Sequence, residues 1–358
     1  MPILIRGLLF NDMFIERRLT GRGDPVSYEQ AIDLTKFLIN RVISQAGKPD
    51  IPFNEAMLVG VENPIRIGVS ALTEAGSSKK PNEDSFAVHR PREDCLLVGV
   101  FDGTTTLVPI EELDKRGISG ARFASQFVKE QFGYIKNGLP PMEILTFLNE
   151  RLLGANTQIS GVDQNDANTL PATSATVVKI DPDRRIIELA HVYDSWCIVY
   201  YKDGHSELVT KDLNRRFDQP ILNRMGEIAR IKGITPRQAR QENEIEQALV
   251  DSRIAKLNAP NGLGCGVING QVAMKDYIQI EAISLLDVYA ILLGTDGFVP
   301  PGWSIQSRSG RQKMIDVVTR QGLEGLMLAK RQAEDNDPEW NFLRFKNADD
   351  ATGVFLKF

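Results

Sequence analysis

Residues 95–104 read CLLVGVFDGT, an uninterrupted run of apolar and small side chains that ends in Asp-Gly. The run predicts a buried strand over residues 95–101, because it contains no polar side chain that would face water. Asp102 then stands where the strand ends, and Gly103 lets the backbone turn sharply. This stretch therefore predicts a carboxylate presented into open space at the edge of a buried sheet.

Three other acidic pieces accompany this one. YAILLGT at 289–295 predicts a second buried strand, which is followed directly by Asp296 and Gly297. Residues 81–84 read PNED, and residues 349–352 read DDAT just before a final apolar run. Taken singly, each piece is typical of a turn or a solvated loop. It is their joint occurrence in one chain that indicates a functional site.

Strands and helices are predicted in blocks rather than in strict alternation. Further strands are expected at 67–73, 173–180, 186–193, 196–202 and 353–358, and helices at 118–135, 141–153, 235–257 and 310–334, the last interrupted near Gly322. The short connections at 181–185 and 194–195 favour antiparallel pairing. The block order favours an α+β layered architecture over a doubly wound parallel sheet.

Composition and the termini restrict the class of protein. The net charge of −5 argues against nucleic-acid binding, which requires a basic surface. No run approaches the roughly 18 apolar residues of a membrane span, and the N-terminus lacks the features of a signal peptide. Three dispersed cysteines predict buried free thiols in a reducing compartment. We therefore expect a cytoplasmic protein without a membrane or nucleic-acid partner, and the sequence leaves its oligomeric state open.

The order of the short motifs resembles that of the PP2C (PPM) family of metal-dependent Ser/Thr phosphatases. The matching pieces, in the order of the family, are residues 79–84, 101–103, 173–176, 193–195, 295–297 and 349–352. The resemblance covers about residues 66–358, which implies a PP2C-like phosphatase domain preceded by an extension, 1–65, with an amphipathic helix at 27–46. It implies a four-layer α-β-β-α sandwich with two antiparallel sheets.

The resemblance also implies a set of metal ligands. In the family, the counterpart of Asp102 bridges two divalent ions, and that of Gly103 offers its backbone carbonyl to one of them. The counterparts of Asp296 and Asp349 complete the shell of the other ion. Those of Glu83 and Asp84 hold metal-bound waters or reach the ions themselves. We therefore expect catalytic roles for Asp84 and Asp102.

The chemistry implied for these residues is hydrolysis of phosphoserine or phosphothreonine in a phosphorylated protein substrate. Ligands that are all oxygen suit Mn²⁺ or Mg²⁺, and the sequence contains no pair of histidines spaced as metal ligands. Two such ions lower the pKa of a bridging water and hold the phosphoryl group for in-line attack. No covalent phospho-enzyme is then required.

Four positions depart from the family pattern. Lys79 occupies the place of the phosphate-binding arginine, so it would position phosphate as a point charge without a bidentate fork. Thr104 replaces the histidine of many members, and a hydroxyl is a poor general acid near neutral pH. Tyr193 replaces a glycine in a turn where a positive φ would disfavour tyrosine. Asp194 could contribute to a third metal or be a plain turn residue, and Pro300 stands where the family has a partner acid.

Residues 211–287 correspond to the flap region of the family, which shapes substrate choice. The segment contains many arginines, for which a solvated helix face and a basic rim that recruits phosphorylated substrate are both open.

Three other functions remain open beside the protein phosphatase. A pseudophosphatase that binds a partner without catalysis is motivated by Lys79, Thr104 and Tyr193. A phosphatase for a small phosphorylated metabolite would share the same site. An unrelated α+β enzyme with coincidental turns requires that Asp102, Asp296 and Asp349 lie far apart.

Overall fold

The computed structural model of the chain describes residues 32, 35, 36, 39, 40, 53–77, 80–136, 138–164 and 166–358. The strands are β1 (Phe53–Val59), β2 (Ile65–Glu74), β3 (Ser85–Arg92), β4 (Cys95–Phe101), β5 (Gly103–Thr104), β6 (Ala172–Thr173), β7 (Ala175–Asp181), β8 (Ile186–Val192), β9 (Trp196–Tyr201), β10 (Ser206–Leu208), β11 (Gln279–Ser284), β12 (Val288–Gly294) and β13 (Ala351–Lys357). The helices are α1 (Glu111–Asp114), α2 (Gly120–Phe132), α3 (Pro141–Asn156), α4 (Arg215–Lys232), α5 (Pro236–Ala239), α6 (Asn243–Lys256) and α7 (Arg308–Asp335).

Two antiparallel sheets form the centre of the molecule. The first, sheet A, has the strand order β1-β2-β13-β12-β9-β10, and the second, sheet B, has the order β11-β8-β7-β4-β3. The C-terminal strand β13 therefore lies inside sheet A, between β2 and β12. The predicted α+β class is confirmed, and β7 and β8, joined at 181–185, pair antiparallel as expected. The pairing expected across 194–195 is wrong, because β8 belongs to sheet B and β9 to sheet A.

Three groups of buried side chains define the order of the layers. One lies between the sheets and includes Val98 of sheet B and Leu293 of sheet A. A second joins sheet B to α2 and α3, where Phe127 and Leu148 are fully buried. A third joins sheet A to α7. The arrangement is the α-β-β-α sandwich that the sequence resemblance implies.

Strand β4 is apolar throughout because both of its faces are covered. Leu97 and Phe101 point to the helices of the second core, whereas Val98 and Val100 point to sheet A. All seven residues of the strand are buried. A strand in this position must be a continuous apolar run, which is the pattern that the sequence shows.

The predicted elements differ from the observed ones mainly at sheet edges and in the helix at 235–257. Strands β3 and β11 are missing from the prediction because they are the edges of sheet B, partly exposed, and β3 contains Pro91. The helix begins after Thr235, as expected, and Thr235 forms a capping box with Gln238. It ends at Ala239, however, and a second helix begins at Asn243. Helix α4 was also missed. The predicted break at Gly322 is confirmed by a φ of 72° within α7.

The segment before residue 66 contributes to the fold. Strand β1 pairs with β2, from Phe53 opposite Ala71 to Val59 opposite Ile65. Ile39 is helical and buried in the core beside α2 and α3. The rest of the predicted helix at 27–46 lies almost entirely outside the described residues. Among the residues described, no helix is long and apolar enough to cross a membrane.

The packing of β4 predicts opposite effects for one substitution at two glycines. A Cβ atom at Gly99 would lie 2.6 Å from the buried ring of Phe101, whereas one at Gly154 in helix α3 would meet nothing within 4 Å. We expect Gly99→Ala to lower the free energy of unfolding by about 1–3 kcal/mol through overpacking. Gly154→Ala should raise it by up to about 1 kcal/mol because alanine favours the helix. Urea unfolding followed by circular dichroism measures both, and equal effects would contradict this packing.

Candidate functional site

The strand registers bring the acidic pieces to one end of the sandwich. In sheet B, Ser85 pairs with Phe101, so Asp84 and Asp102 lie opposite one another just beyond the paired strands. In sheet A, Gly294 pairs with both Gly353 and Trp196. Asp296 therefore lies next to the start of β13, where Asp349 is found, and next to the turn at Asp194. That turn joins β8 of sheet B to β9 of sheet A.

Two glycines of the acidic pieces are required for space rather than for a sharp turn. Neither Gly103 nor Gly297 has a positive φ, so the predicted backbone role is wrong. A Cβ at Gly103 would lie 2.6 Å from the carbonyl oxygen of Ala121. A Cβ at Gly297 would lie 1.9 Å from the carbonyl oxygen of Asp350. Each glycine lets another chain segment approach beside an aspartate.

The aspartates are close enough to perturb one another's protonation. Burial raises the pKa of Asp102 well above its usual value, and the negative charges of Asp84, Asp296, Asp194 and Asp349 raise it further. Burial likewise raises the pKa of Asp84 and of Asp194. Desolvation and the charge of Asp349 also raise the pKa of Asp296, although its side chain is exposed and water weakens both effects. The four acidic motifs therefore form one cluster.

A chain of hydroxyl and amide groups holds Asp84 in place. Thr295 Oγ1 donates to Asp84 Oδ2 at 2.7 Å and accepts from the backbone N–H of Thr352 at 3.0 Å. Asn82 Oδ1 accepts from the backbone N–H of Asp84 at 2.9 Å, and Asn82 Nδ2 donates to Thr73 Oγ1 at 2.7 Å. Thr295 thus links the end of β12 in sheet A to Asp84 at the start of β3 in sheet B. Sequence reasoning missed it because its partner is 211 residues away.

The two adjacent aspartates at 349 and 350 have different tasks. Asp350 accepts from the backbone N–H groups of Gly76 and Glu83, each at 2.7 Å, so it fastens the PNED loop to β13. The backbone carbonyl of Asp349 accepts from Lys330 Nζ at 2.9 Å and from Arg331 at 3.1 Å, both on α7. The side chain of Asp349 is left to face the cluster, where Lys346 Nζ lies 2.7 Å from its Oδ1.

Glu83 lies beside the cluster. Its carboxylate accepts a hydrogen bond from Ser119 Oγ, the N-cap of α2. Burial raises its pKa, with the nearby charge of Asp350 acting in the same direction.

The turn at Tyr193 has the geometry of a glycine turn despite its tyrosine. Tyr193 adopts a φ of 78°, so the expectation that tyrosine would avoid this conformation is wrong. Its ring is buried against Leu257 and Cys265, and this packing offsets the strain of a left-handed tyrosine. Asp194 Oδ2 accepts from Asn214 Nδ2 at 3.1 Å. Its Oδ1 is buried with no hydrogen-bond partner among the described residues, which is unusual for a plain turn residue.

The oxygen atoms of the acidic cluster are suitable ligands for a hard divalent cation. The side chains are carboxylates, and the orphaned Oδ1 of Asp194 is a buried oxygen that a cation would satisfy. His191 is buried in sheet B with its pKa lowered by burial to about 4, and takes no part. As they stand, however, the described residues contain no group of three or more His, Cys, Asp or Glu side chains that could hold a metal ion.

Lys79, the expected phosphate-binding residue, lies outside the described residues.

Comparisons with known proteins support the fold. No protein-family model matches the sequence, and a search of the curated proteins finds no match. An arginine-to-lysine variant of a bacterial serine phosphatase superposes with a TM-score of 0.51 at 12% identity, over 81% of this chain and 96% of that one. Serine/threonine phosphatase Stp1 from Staphylococcus aureus gives 0.49 at 15% identity, over 85% and 98%. PstP/Ppp from Mycobacterium tuberculosis gives 0.46 at 16%, over 82% and 98%.

Removing the Thr295 hydroxyl tests the link between the sheets. We expect Thr295→Val to lower the free energy of unfolding by about 1–3 kcal/mol, because the buried carboxylate of Asp84 loses a donor. Thr295→Ser retains the hydroxyl and should recover most of that loss. Urea denaturation of the two variants measures the difference. Equal destabilisation by serine and valine would show that the methyl group, rather than the hydrogen bond, is what matters.

The raised pKa of Asp102 predicts that this residue destabilises the metal-free protein at neutral pH. The folded state binds the proton more tightly than the unfolded state, so the stabilisation is full below the unfolded pKa of about 3.9 and is lost as the pH rises through the folded value. With chelator present, Asp102→Asn should therefore melt at a higher temperature than the parent at pH 7. The gain should shrink as the pH falls toward 4.

The matched control for this comparison is Asp276→Asn, at an exposed position remote in sequence from the acidic motifs. It should leave the melting temperature unchanged across the same pH range. A lower melting temperature for Asp102→Asn at pH 7 would mean that the carboxylate is satisfied within the metal-free fold.

Proposed function

We propose that the chain is a metal-dependent phosphatase that hydrolyses phosphoserine or phosphothreonine in protein substrates. The observation that carries this proposal is the convergence of Asp84, Asp102, Asp194, Asp296 and Asp349 at one end of a PP2C-like sandwich. Repulsion among buried carboxylates is costly to folding unless cations balance it, so such a cluster is typical of a functional site. The likeness in fold to a serine phosphatase agrees with this assignment.

In this proposal, Mn²⁺ or Mg²⁺ would be held by the carboxylates of the cluster. The residues that would hold the ions are Asp102, Asp296 and Asp349, together with the backbone carbonyl of Gly103. Bound there, the ions would supply an activated water and charge neutralisation for phosphoryl transfer. Glu83 and Asp84 would orient water at the edge of the site.

Other residues of the site have supporting roles. Thr295 keeps the Asp84 carboxylate aimed at the cluster through its hydrogen bond. Asp194 would complete a third, weaker site, for which its orphaned Oδ1 is the supporting observation. Thr104 is buried in β5, and its hydroxyl is too weak an acid to protonate a departing alkoxide near neutral pH. Phosphate esters with acidic leaving groups should therefore react fastest.

A second candidate is a binding module that has lost catalysis. It is favoured by the ion pair between Lys346 and Asp349, which gives one of the proposed ligands a cation from the chain itself. Desolvation works in the opposite direction, but the charges of Asp349, Asp296 and Asp102 hold the pKa of Lys346 above its usual value. Divalent ions would have to displace this ammonium group.

Hydrolysis of p-nitrophenyl phosphate tests the proposal and separates it from the alternatives. We expect turnover with Mn²⁺ or Mg²⁺, none with excess chelator, and a loss of about a hundredfold or more in Asp102→Asn. Calorimetry should show that this variant also binds the metal more weakly, while its circular dichroism spectrum is unchanged.

Three outcomes would redirect the assignment. Metal binding without turnover would favour the binding module. Full turnover by Asp102→Asn would contradict the two-metal mechanism. Hydrolysis of a phosphorylated metabolite without hydrolysis of a phosphopeptide would favour the small-molecule enzyme.

A further inference from the structure

Arg253, on helix α6, is a partly buried arginine without a partner. None of its guanidinium N–H groups makes a hydrogen bond or an ion pair with the described residues. Two other arginines of the same region form ion pairs. Arg224 pairs with Glu244 and Glu227, and Arg240 pairs with Glu246. An unpaired guanidinium that is partly removed from water is free to bind an anion that approaches from outside.

Helix α6 is connected to the carboxylate cluster through Lys256, which follows Arg253 by one turn. Lys256 Nζ contacts Asp218 Oδ1 at 3.0 Å and donates to Asn214 Oδ1. Asn214 in turn donates to Asp194. The same ammonium group lies 5.7 Å from the centre of the Tyr193 ring. Residues three apart share a face of a helix, so Arg253 faces the same turn as Lys256.

The charge environment of Arg253 agrees with this placement. Burial lowers its pKa, while Asp194 and Glu83 act in the opposite direction. These two acids belong to different parts of the site, the β8–β9 turn and the PNED loop. The guanidinium therefore lies within electrostatic reach of both, without being bonded to either.

We propose that Arg253 supplies the guanidinium group that binds the phosphoryl group of the substrate. This inference rests on the proposed phosphatase function. Its planar fork offers bidentate hydrogen bonds to phosphate, which a lysine at position 79 does not. Lys346, Lys256 and Arg122 are poorer candidates because each is already bonded within the protein. The phosphate-binding cation would thus come from the 211–287 segment rather than from the loop before residue 84.

The test compares Arg253→Ala and Arg253→Lys with the parent protein in the presence of Mg²⁺. The matched control is Arg230→Ala, which removes an exposed arginine from the neighbouring helix α4. For Arg253→Ala we expect the KM for p-nitrophenyl phosphate and the inhibition constant of inorganic phosphate to rise together, by about ten- to a hundredfold. Arg253→Lys should recover part of this loss. Added guanidinium ion should partly restore Arg253→Ala but not change the control.

Phosphate binding is also measured without turnover, from the rise in melting temperature on adding inorganic phosphate. The parent and Arg230→Ala should be stabilised, and Arg253→Ala should not. If the parent shows no turnover but retains this difference, the proposed function fails and the phosphate site stands. If Arg253→Ala matches the parent in both the inhibition constant and the melting shift, the inference is overturned whether or not the protein is a phosphatase.

Discussion

The structure around the site is constrained by the burial of like charges. Asp84 and Asp194 are buried, Asp102 is partly buried, and the three lie near one another, so desolvation and mutual repulsion both oppose their ionisation. A flexible chain would relieve this strain by separating the carboxylates. It does not do so here because each aspartate sits directly at the end of a paired strand or in a turn between strands, where the backbone is held by two sheets at once.

The frame behind the cluster is correspondingly rigid. Strand β13 is central in sheet A, and the residues just before it are tied from three directions. Asp350 binds the backbone at Gly76 and Glu83, and Lys330 on α7 reaches the carbonyl of Asp349. Lys330 is itself buried and paired with Glu334 at 2.7 Å. A buried ion pair of this kind contributes little net stability. It fixes the local geometry, because a displacement of either side chain would leave a buried charge without its partner.

The 211–287 segment is joined to the site through the turn at Tyr193. The strained backbone of that turn is held by contacts of the tyrosine ring with Leu257 and Cys265, both from this segment. The polar chain from Lys256 through Asn214 to Asp194 follows the same route. A movement of α6 would therefore displace Arg253 and alter the contacts that hold the β8–β9 turn. This arrangement makes the segment part of the site rather than a cover over it.

Two other arginines of this segment, the exposed Arg224 and the partly buried Arg240, are paired with acidic side chains. The pairs of Arg224 and Arg240 with glutamates favour the solvated-face interpretation over a basic rim, since their charge is balanced locally. Surface pairs of this type are worth little to stability. In our proposal it is the partly buried Arg253, rather than the exposed arginines of the segment, that binds the phosphoryl group.

The local sequence pattern was sufficient to predict those features that depend on residues close together in the sequence. The apolar run at 95–101 predicted both ends of β4 correctly. A strand that is covered on both faces must consist of apolar residues, so its limits are visible in the sequence. The aspartates that end such strands were found for the same reason, as were the buried free cysteines and the break at Gly322. Edge strands were missed because exposure on one side leaves their pattern weak.

Tertiary structure alone decided which groups meet. Thr295 and Asp84 are 211 residues apart, and Asp350 and Gly76 are 274 apart, so no local pattern connects them. The need for glycine at 103 and 297 arises from the approach of another segment and not from the turn itself. Arg253 is one of many arginines in the sequence, and only the tertiary structure shows that its helix is connected through Lys256 and Asn214 to Asp194. Strand composition is set by burial, whereas the site is set by register and packing between distant segments.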